Sequence, residues 1–341
     1  MSSKPRFSIV APVYNTSAFL SECLASVEQQ TYHNFELVLV DDGSTDNSGK
    51  MCDEFAAQHA YARVIHQENQ GLLLARRVGL QAARGEYIVT LDSDDMLRTD
   101  ALELLSAEID ANHPDILTFT FSRATSFALF NPSRLSMPAG YYAADQYGLL
   151  KMQICKGRHN NLWSKCYRRA IADVKADYTP FRGLTHAEDL LQVLPIIDGG
   201  KTFSYVDEPL YYYRPNPGSA TGSYKPRQLK DLSVALDALI RYASSWGYSY
   251  LQEARKSALL QLSYLLHMLV NSRLENAMQV EQLERMQTYA KKAGLFGSWE
   301  HDLRLDKRLE IEALGKGQWG RVVRRVRAFE LLKRVRDMRS K

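Results

Sequence analysis

Three groups of acidic residues stand out by type and spacing. Asp92-Ser93-Asp94-Asp95 follows a short apolar run, Tyr87 to Leu91. Residues two apart in an extended segment point to the same side, so Asp92 and Asp94 present their carboxylates together. Like charges held that close repel, and a hard divalent cation relieves the repulsion. Mg²⁺ or Mn²⁺ takes oxygen ligands and commonly joins carboxylates to substrate phosphates. A helix cap by Asp95 ahead of Met96-Leu97 accounts for one acid and leaves the others without a reason. Asp41-Asp42 ends a second strand-like run that begins at Phe35, ahead of Gly43-Ser44-Thr45-Asp46. Turn and cap chemistry covers most of that segment but not two adjacent acids. Alternation along the strand turns one of the pair toward the crevice, where it can accept from a base N–H or ribose hydroxyls. The third group, His186-Ala187-Glu188-Asp189, opens a helical pattern. Acids in a first turn complement the helix dipole; one of them can equally be a general base. Pro12-Val13-Tyr14-Asn15 closes the run from Phe7, where the Tyr14 ring either packs or presents a face to a flat ligand.

These groups need a scaffold that brings strand ends together. Apolar runs at 7–13, 35–40, 63–66, 87–91 and 115–121 alternate with helical spacings such as Phe19, Leu20, Cys23, Leu24 and Val27. Strands feeding helices in this order build right-handed parallel units in an open α/β sheet. In such sheets the ligand sits beyond the carboxyl ends of the strands, and the polar groups fall there. Residues 122–225 are less regular, with helices expected around 144–154 and 188–197. From Pro226 the pattern is helical to the end, which puts a domain boundary near Lys225.

The chain has 341 residues, 45% of them hydrophobic and 24% charged, which is the composition of a folded protein of two ordinary domains. Cys23, Cys52, Cys155 and Cys166 show no metal-binding spacing and read as reduced thiols. The first residues suggest no signal peptide, and the most apolar stretch, 258–270, is too short to span a bilayer. A cytoplasmic location is expected. The net charge of +4 is uneven: residues 315–341 hold ten Lys or Arg against Glu330 and Asp337, so the tail carries +8 and the rest −4. Trp319, Val322, Val323, Val326 and Phe329 fall on one helical face opposite Arg321, Arg324 and Arg325. A basic amphipathic helix of this kind suits an anionic membrane surface, which would make the protein peripheral on the inner face of the cell membrane; the alternative is a helix packed on the body. No nucleic-acid module is present in the pattern, so nucleic acid is not expected as a partner.

Taken in order, Pro12-Val-Tyr14-Asn, Val40-Asp-Asp42-Gly-Ser, Asn69-Gln-Gly71 with Ala75-Arg76, Gly85-Glu-Tyr, Asp92-Ser-Asp94-Asp and Glu188-Asp189 resemble the family 2 glycosyltransferases. Trp163-Ser-Lys165-Cys-Tyr167-Arg-Arg and Glu208-Pro-Leu-Tyr-Tyr-Tyr-Arg214 with Gly218-Ser219 resemble their bacterial cell-surface polysaccharide branch. The likeness covers residues 7 to about 224, with one departure: Arg77 stands where many relatives have Asn. The resemblance implies a GT-A nucleotide-diphospho-sugar transferase fold over 1–225, a helical domain over 226–314 and the basic tail over 315–341. It implies that Pro12, Tyr14, Asp42, Arg76 and Asp92 bind the nucleotide, that Asp92 and Asp94 hold Mg²⁺ or Mn²⁺, and that Asp189 is the catalytic base. Glu188, Trp163, Lys165 and Arg214 are candidate diphosphate or acceptor contacts. The expected activity is inverting transfer from a nucleotide-sugar donor, a UDP-sugar, to a saccharide or lipid-linked acceptor. A sugar nucleotidyltransferase would carry a Gly-rich, Arg-containing loop where Pro-Val-Tyr-Asn stands, which excludes it. A non-catalytic nucleotide-sugar-binding subunit is the rival reading.

Overall fold

The apolar runs at 7–13 and 35–41 are buried along their whole length, as strands covered on both faces must be. In the computed structural model these are β1 (Phe7–Val13) and β2 (Phe35–Asp41), parallel and in register from Phe7 opposite Phe35 to Val13 opposite Asp41. The structure describes residues 4–215, 224–297 and 303–339, the last eight as backbone only. The expected Gly218-Ser219 pair and Lys341 lie outside the described residues.

The alternation read from the sequence continues as α1 (Ser17–Glu28), α2 (Ser48–Gln58), β3 (Ala62–His66), α3 (Leu72–Ala82) and β4 (Tyr87–Thr90). Next come β5 (Met96–Leu97), α4 (Ala101–Asn112), β6 (Ile116–Ser122), β7 (Gly140–Tyr142), α5 (Gly148–Cys155), β8 (Lys165–Arg168), α6 (Glu188–Gly199) and β9 (Phe203–Tyr212). The sheet runs β3-β2-β1-β4-β8-β6-β9-β5, with β7 added on β9. Strands β1 to β4 are mutually parallel and β6 runs parallel to β9, whereas β8 enters antiparallel between β4 and β6. Strand order reverses at β1, with β2 on one side and β4 on the other, so the crevice opens beyond Val13, Asp41 and Thr90. A core cluster fills one face, joining Leu20, Cys23 and Val27 of α1 to Leu102, Leu105 and Ile109 of α4 across Ile9, Leu37 and Val89.

The chain divides into two compact units, Met1–Ile154 with Arg158–Asn216, and Cys155–Gly157 with Pro217–Lys341. The division falls at Asn216, nine residues before the expected Lys225. The second unit holds α7 (Arg227–Trp246), α8 (Tyr248–Val270), α9 (Asn276–Lys292), α10 (Leu305–Gly315) and α11 (Trp319–Arg339). The basic tail is not a separate segment: α11 packs on α8 and α10, with Val322 and Val326 fully buried. Phe329 meets the His267 ring edge-on at 5.3 Å. The apolar stripe therefore faces the helical unit, and Arg321, Arg324 and Arg327 face out. Among the described residues no helix is long and apolar enough to cross a membrane.

Candidate active site

The crevice is built from strand ends that turn sharply. Past β1, Tyr14 is 48% exposed. Pro12 is buried in β1 opposite Val40, so it shapes the strand end rather than presenting itself. Asn15, at a φ of 52°, turns back, and its Oδ1 accepts the N–H of Thr45 at 2.8 Å. The first two strand ends are thereby locked together.

The acid pair after β2 divides as alternation requires. Asp41 turns to α2, where its carboxylate accepts the Ser44 N–H at 3.0 Å and meets His66 Nδ1 at 2.9 Å. Asp42, 2% exposed, turns toward the 67–71 loop. It accepts from Gln67 Nε2 at 2.6 Å, Gln70 N at 2.9 Å and Gly71 N at 2.8 Å. A carboxylate offers about four acceptor directions, so one remains for a ligand N–H. Gly43 makes the approach possible. Its φ is +74°, and a Cβ there would lie 2.9 Å from the Asn69 nitrogen.

At the centre stands Arg76 on α3, 3% exposed. Nη2 pairs with Asp92 Oδ1 at 2.6 Å, and Nη1 pairs with Asp189 Oδ1. Burial works against its charge, yet Asp92, Asp189 and Glu188 together hold the guanidinium more firmly protonated than usual. The second oxygen of Asp189 accepts the N–H of Leu162 at 3.3 Å. Burial, then the charge of Asp189, push the Glu188 carboxyl up. Burial likewise pushes Asp92 up against the pull of Arg76. One cation thus faces an excess of acids, and that excess attracts positive charge.

The Asp92–Asp95 turn is braced from β9. Tyr211, fully buried, accepts the Asp92 N–H and donates to Asp95 Oδ2. Arg214 donates its backbone N–H to Asp95 Oδ1 and its Nε to the Asp94 carbonyl, both near 2.8 Å. Thr16 donates to Ser93 at 3.0 Å from the start of α1. Asp94 itself is part-buried, with no side-chain partner among the described residues. Those residues contain no group of three or more His, Cys, Asp or Glu able to enclose a metal alone. A site there would need ligand oxygens to complete it, and two carboxylates beside donor phosphates are the donor set that hard divalent cations take.

Three of the candidate contacts already have partners within the protein. Lys165 is fully buried, and its Nζ donates to the carbonyls of His159 and Asn161. Trp163 stacks on Tyr211 at 4.6 Å and Tyr213 at 5.3 Å, inside the aromatic core. Arg214 directs its guanidinium to Glu22 and the Asp94 carbonyl, so it braces the acid turn. Arg77, the departure from the pattern, donates to the carbonyls of Asp173 and Ala176 and lies over the Tyr178 ring at 4.3 Å. It fastens the loop that leads to α6.

The family model for glycosyl transferase family 2 matches residues 8–178. The glycosyltransferase EpsJ of Bacillus subtilis (strain 168) is 32% identical over 250 residues, 71% of each chain. The chain belongs to glycosyl transferase family 2. EpsH of the same organism, another glycosyltransferase of this kind, is 32% identical over 234 residues, 68% of this chain and 67% of its own. Among solved structures, S. aureus TarS 1-349 in complex with UDP-GlcNAc superposes with a TM-score of 0.71 at 19% identity, covering 96% of this chain and 92% of that one. That match gives the family 2 chain a GT-A-like fold with a helical C-terminal region.

Proposed function

We propose that this glycosyltransferase moves a sugar from a UDP-sugar to a hydroxyl of a saccharide or lipid-linked acceptor, with inversion, in surface polysaccharide synthesis. The observation that carries the reading is the shared guanidinium. Arg76 ties Asp92, on the donor side, to Asp189, the candidate base, in one crevice. A sugar hydroxyl is a poor nucleophile near neutral pH, so Asp189 takes its proton as the oxygen attacks the anomeric carbon. Arg76 and the Leu162 N–H fix the direction of that carboxylate. The C–O bond to the nucleoside diphosphate breaks on the opposite face, which inverts the anomeric centre. Tyr14 offers its ring to the base, and Asp42 offers its remaining acceptor direction to the base N–H.

The open carboxylate of Asp94 and the free Oδ2 of Asp92 suit Mg²⁺ or Mn²⁺. A cation bound there would neutralise charge on the departing diphosphate. The likeness to TarS, solved with UDP and with UDP-GlcNAc, supports UDP as the carrier. The outward arginines of α11 support docking on an anionic inner leaflet, where a lipid-linked acceptor lies.

The test is UDP release from UDP-glucose, UDP-galactose and UDP-GlcNAc with Mn²⁺, by wild type and by Asp189→Asn. Release that depends on Asp189, with water or an added saccharide as acceptor, is expected. Nucleotide binding without any release would instead make the protein a non-catalytic subunit of an assembly complex.

A further inference from the structure

Lys165 begins β8, opposite Thr118 of β6, and its side chain is wholly buried. A lysine ammonium has three N–H donors and rarely lies so deep; burial pulls its pKa down, and the nearby charge of Asp189 opposes that pull. Here Nζ donates to the carbonyl of His159 at 2.5 Å and to that of Asn161 at 2.6 Å. Its backbone N–H donates to the carbonyl of Leu162 at 3.1 Å. One residue therefore gathers three of the four carbonyls of the 159–162 turn. That turn then delivers the Leu162 N–H to Asp189 Oδ2 at 3.3 Å.

Several side chains in and beside the turn do not help to hold it. Asn160 Oδ1, Asn161 Nδ2 and Ser164 Oγ are buried with no hydrogen-bond partner among the described residues. His159 adopts a φ of 53°, a left-handed conformation that L residues seldom take unaided. Its ring is fixed by Thr118 Oγ1 at 2.9 Å and the Ser133 carbonyl at 2.6 Å. Without the ammonium, the carbonyls of His159 and Asn161 would be left unpaired in the interior, and the backbone would move to find partners.

We propose that Lys165 is a positioning residue for Asp189, acting through the 159–162 turn. It touches neither donor nor acceptor. It fixes the direction of the carboxylate by holding the amide that points at it, while Arg76 fixes the other oxygen. The role presupposes Asp189 as the base.

A double-mutant cycle on the full chain tests it, reading UDP release from UDP-GlcNAc with Mn²⁺ and, separately, the thermal shift given by UDP. Lys165→Met keeps the length and the backbone N–H while removing the ammonium. The expected result is a fall in kcat of roughly 10- to 100-fold, with donor KM and the UDP shift nearly unchanged, because the lost orientation affects the chemical step. In an Asp189→Asn background the same change should cost less than about twofold, since residues that act through one another are not additive. Equal losses in both backgrounds, or wild-type kcat in folded Lys165→Met, would overturn the role. If Lys165→Met shows no cooperative melt, Lys165→Gln, whose amide nitrogen stands one bond nearer the backbone and cannot bridge both the His159 and Asn161 carbonyls, takes its place in the same cycle: a smaller loss in the Asp189→Asn background supports the role, and equal losses overturn it. Wild type that releases no UDP in an Asp189-dependent way counts against the base, and so against the proposed function; additive losses in an active enzyme count against Lys165 alone.

Discussion

The phenol of Tyr211 donates to Asp95 at 2.8 Å, so a strand far along the chain fixes the turn that carries Asp92 and Asp94. The same oxygen accepts the Asp92 N–H at 3.1 Å, and Arg214 adds two bonds to the turn. The two acids are aimed by residues more than a hundred positions away. Tyr211→Phe leaves a buried carboxyl and a backbone N–H short of a partner. It should lower stability by about 1–3 kcal/mol in urea unfolding. An unchanged midpoint would mean that Arg214 suffices.

Metal dependence is read most directly from nucleotide binding. A ligand that binds only the native state raises apparent stability in proportion to its affinity. UDP should raise the melting temperature much more with Mn²⁺ or Mg²⁺ than with EDTA, and Asp94→Ala should erase the difference. Equal shifts with and without the cation would remove Asp94 from that role.

For the base, Asp189→Asn preserves size and can still accept from Leu162 while losing the proton acceptor. UDP should bind as before. Transfer should fall on the order of 10²-fold or more. Transfer near the wild-type rate would shift the role to Glu188.

Acid stability has a specific source in the helical unit. Glu310 is 1% exposed; burial raises its pKa, but His267 and Lys307 bring it below the ordinary 4.5. A carboxyl with a depressed folded value contributes stability above its unfolded value and loses it as pH falls through the folded value. Wild type should therefore melt progressively lower from about pH 5 to pH 3, and Glu310→Gln should be less stable at pH 7 but flatter over that range. Parallel curves for the two proteins would contradict this.

Removing α11 is a poor test of membrane docking, because it strips Val322 and Val326 from a core. Charge substitution avoids the difficulty. Arg321, Arg324 and Arg327 are exposed on one face, and at about 1 kcal/mol each near an anionic leaflet their joint change to Gln should weaken binding to phosphatidylserine vesicles about a hundredfold. Raised salt should do the same to wild type. Binding indifferent to both would refute an electrostatic anchor.

The parallel half of the sheet was legible because its strands are apolar throughout and end in acids. Tyr14, Asp42 and Asp92 follow strand ends, Asp189 opens α6, and Arg76 lies in the second turn of α3. What escaped was contact across long separations. Strand β8 is four residues long and mixes Lys165 with Cys166, Tyr167 and Arg168, which gives no period to read. The buried role of Lys165 is contrary to its residue type, so only the fold reveals it. Tyr211 sits in a run of three tyrosines, and alternation alone does not say which one turns inward. The tail's amphipathic face left two covers open, a membrane surface or the body of the protein, and α8 and α10 are what covers its apolar side.

The double grip of Arg76 has a consequence for how such a site can change over generations. Substituting Asp92 frees half of a buried guanidinium that also steers Asp189, so a change suited to a new donor disturbs proton removal at once. Neither acid can drift alone. Variation in donor preference should accumulate first at positions outside this grip, such as Tyr14 or the 67–71 loop, and reach Asp92 only in lineages where Arg76 has changed with it.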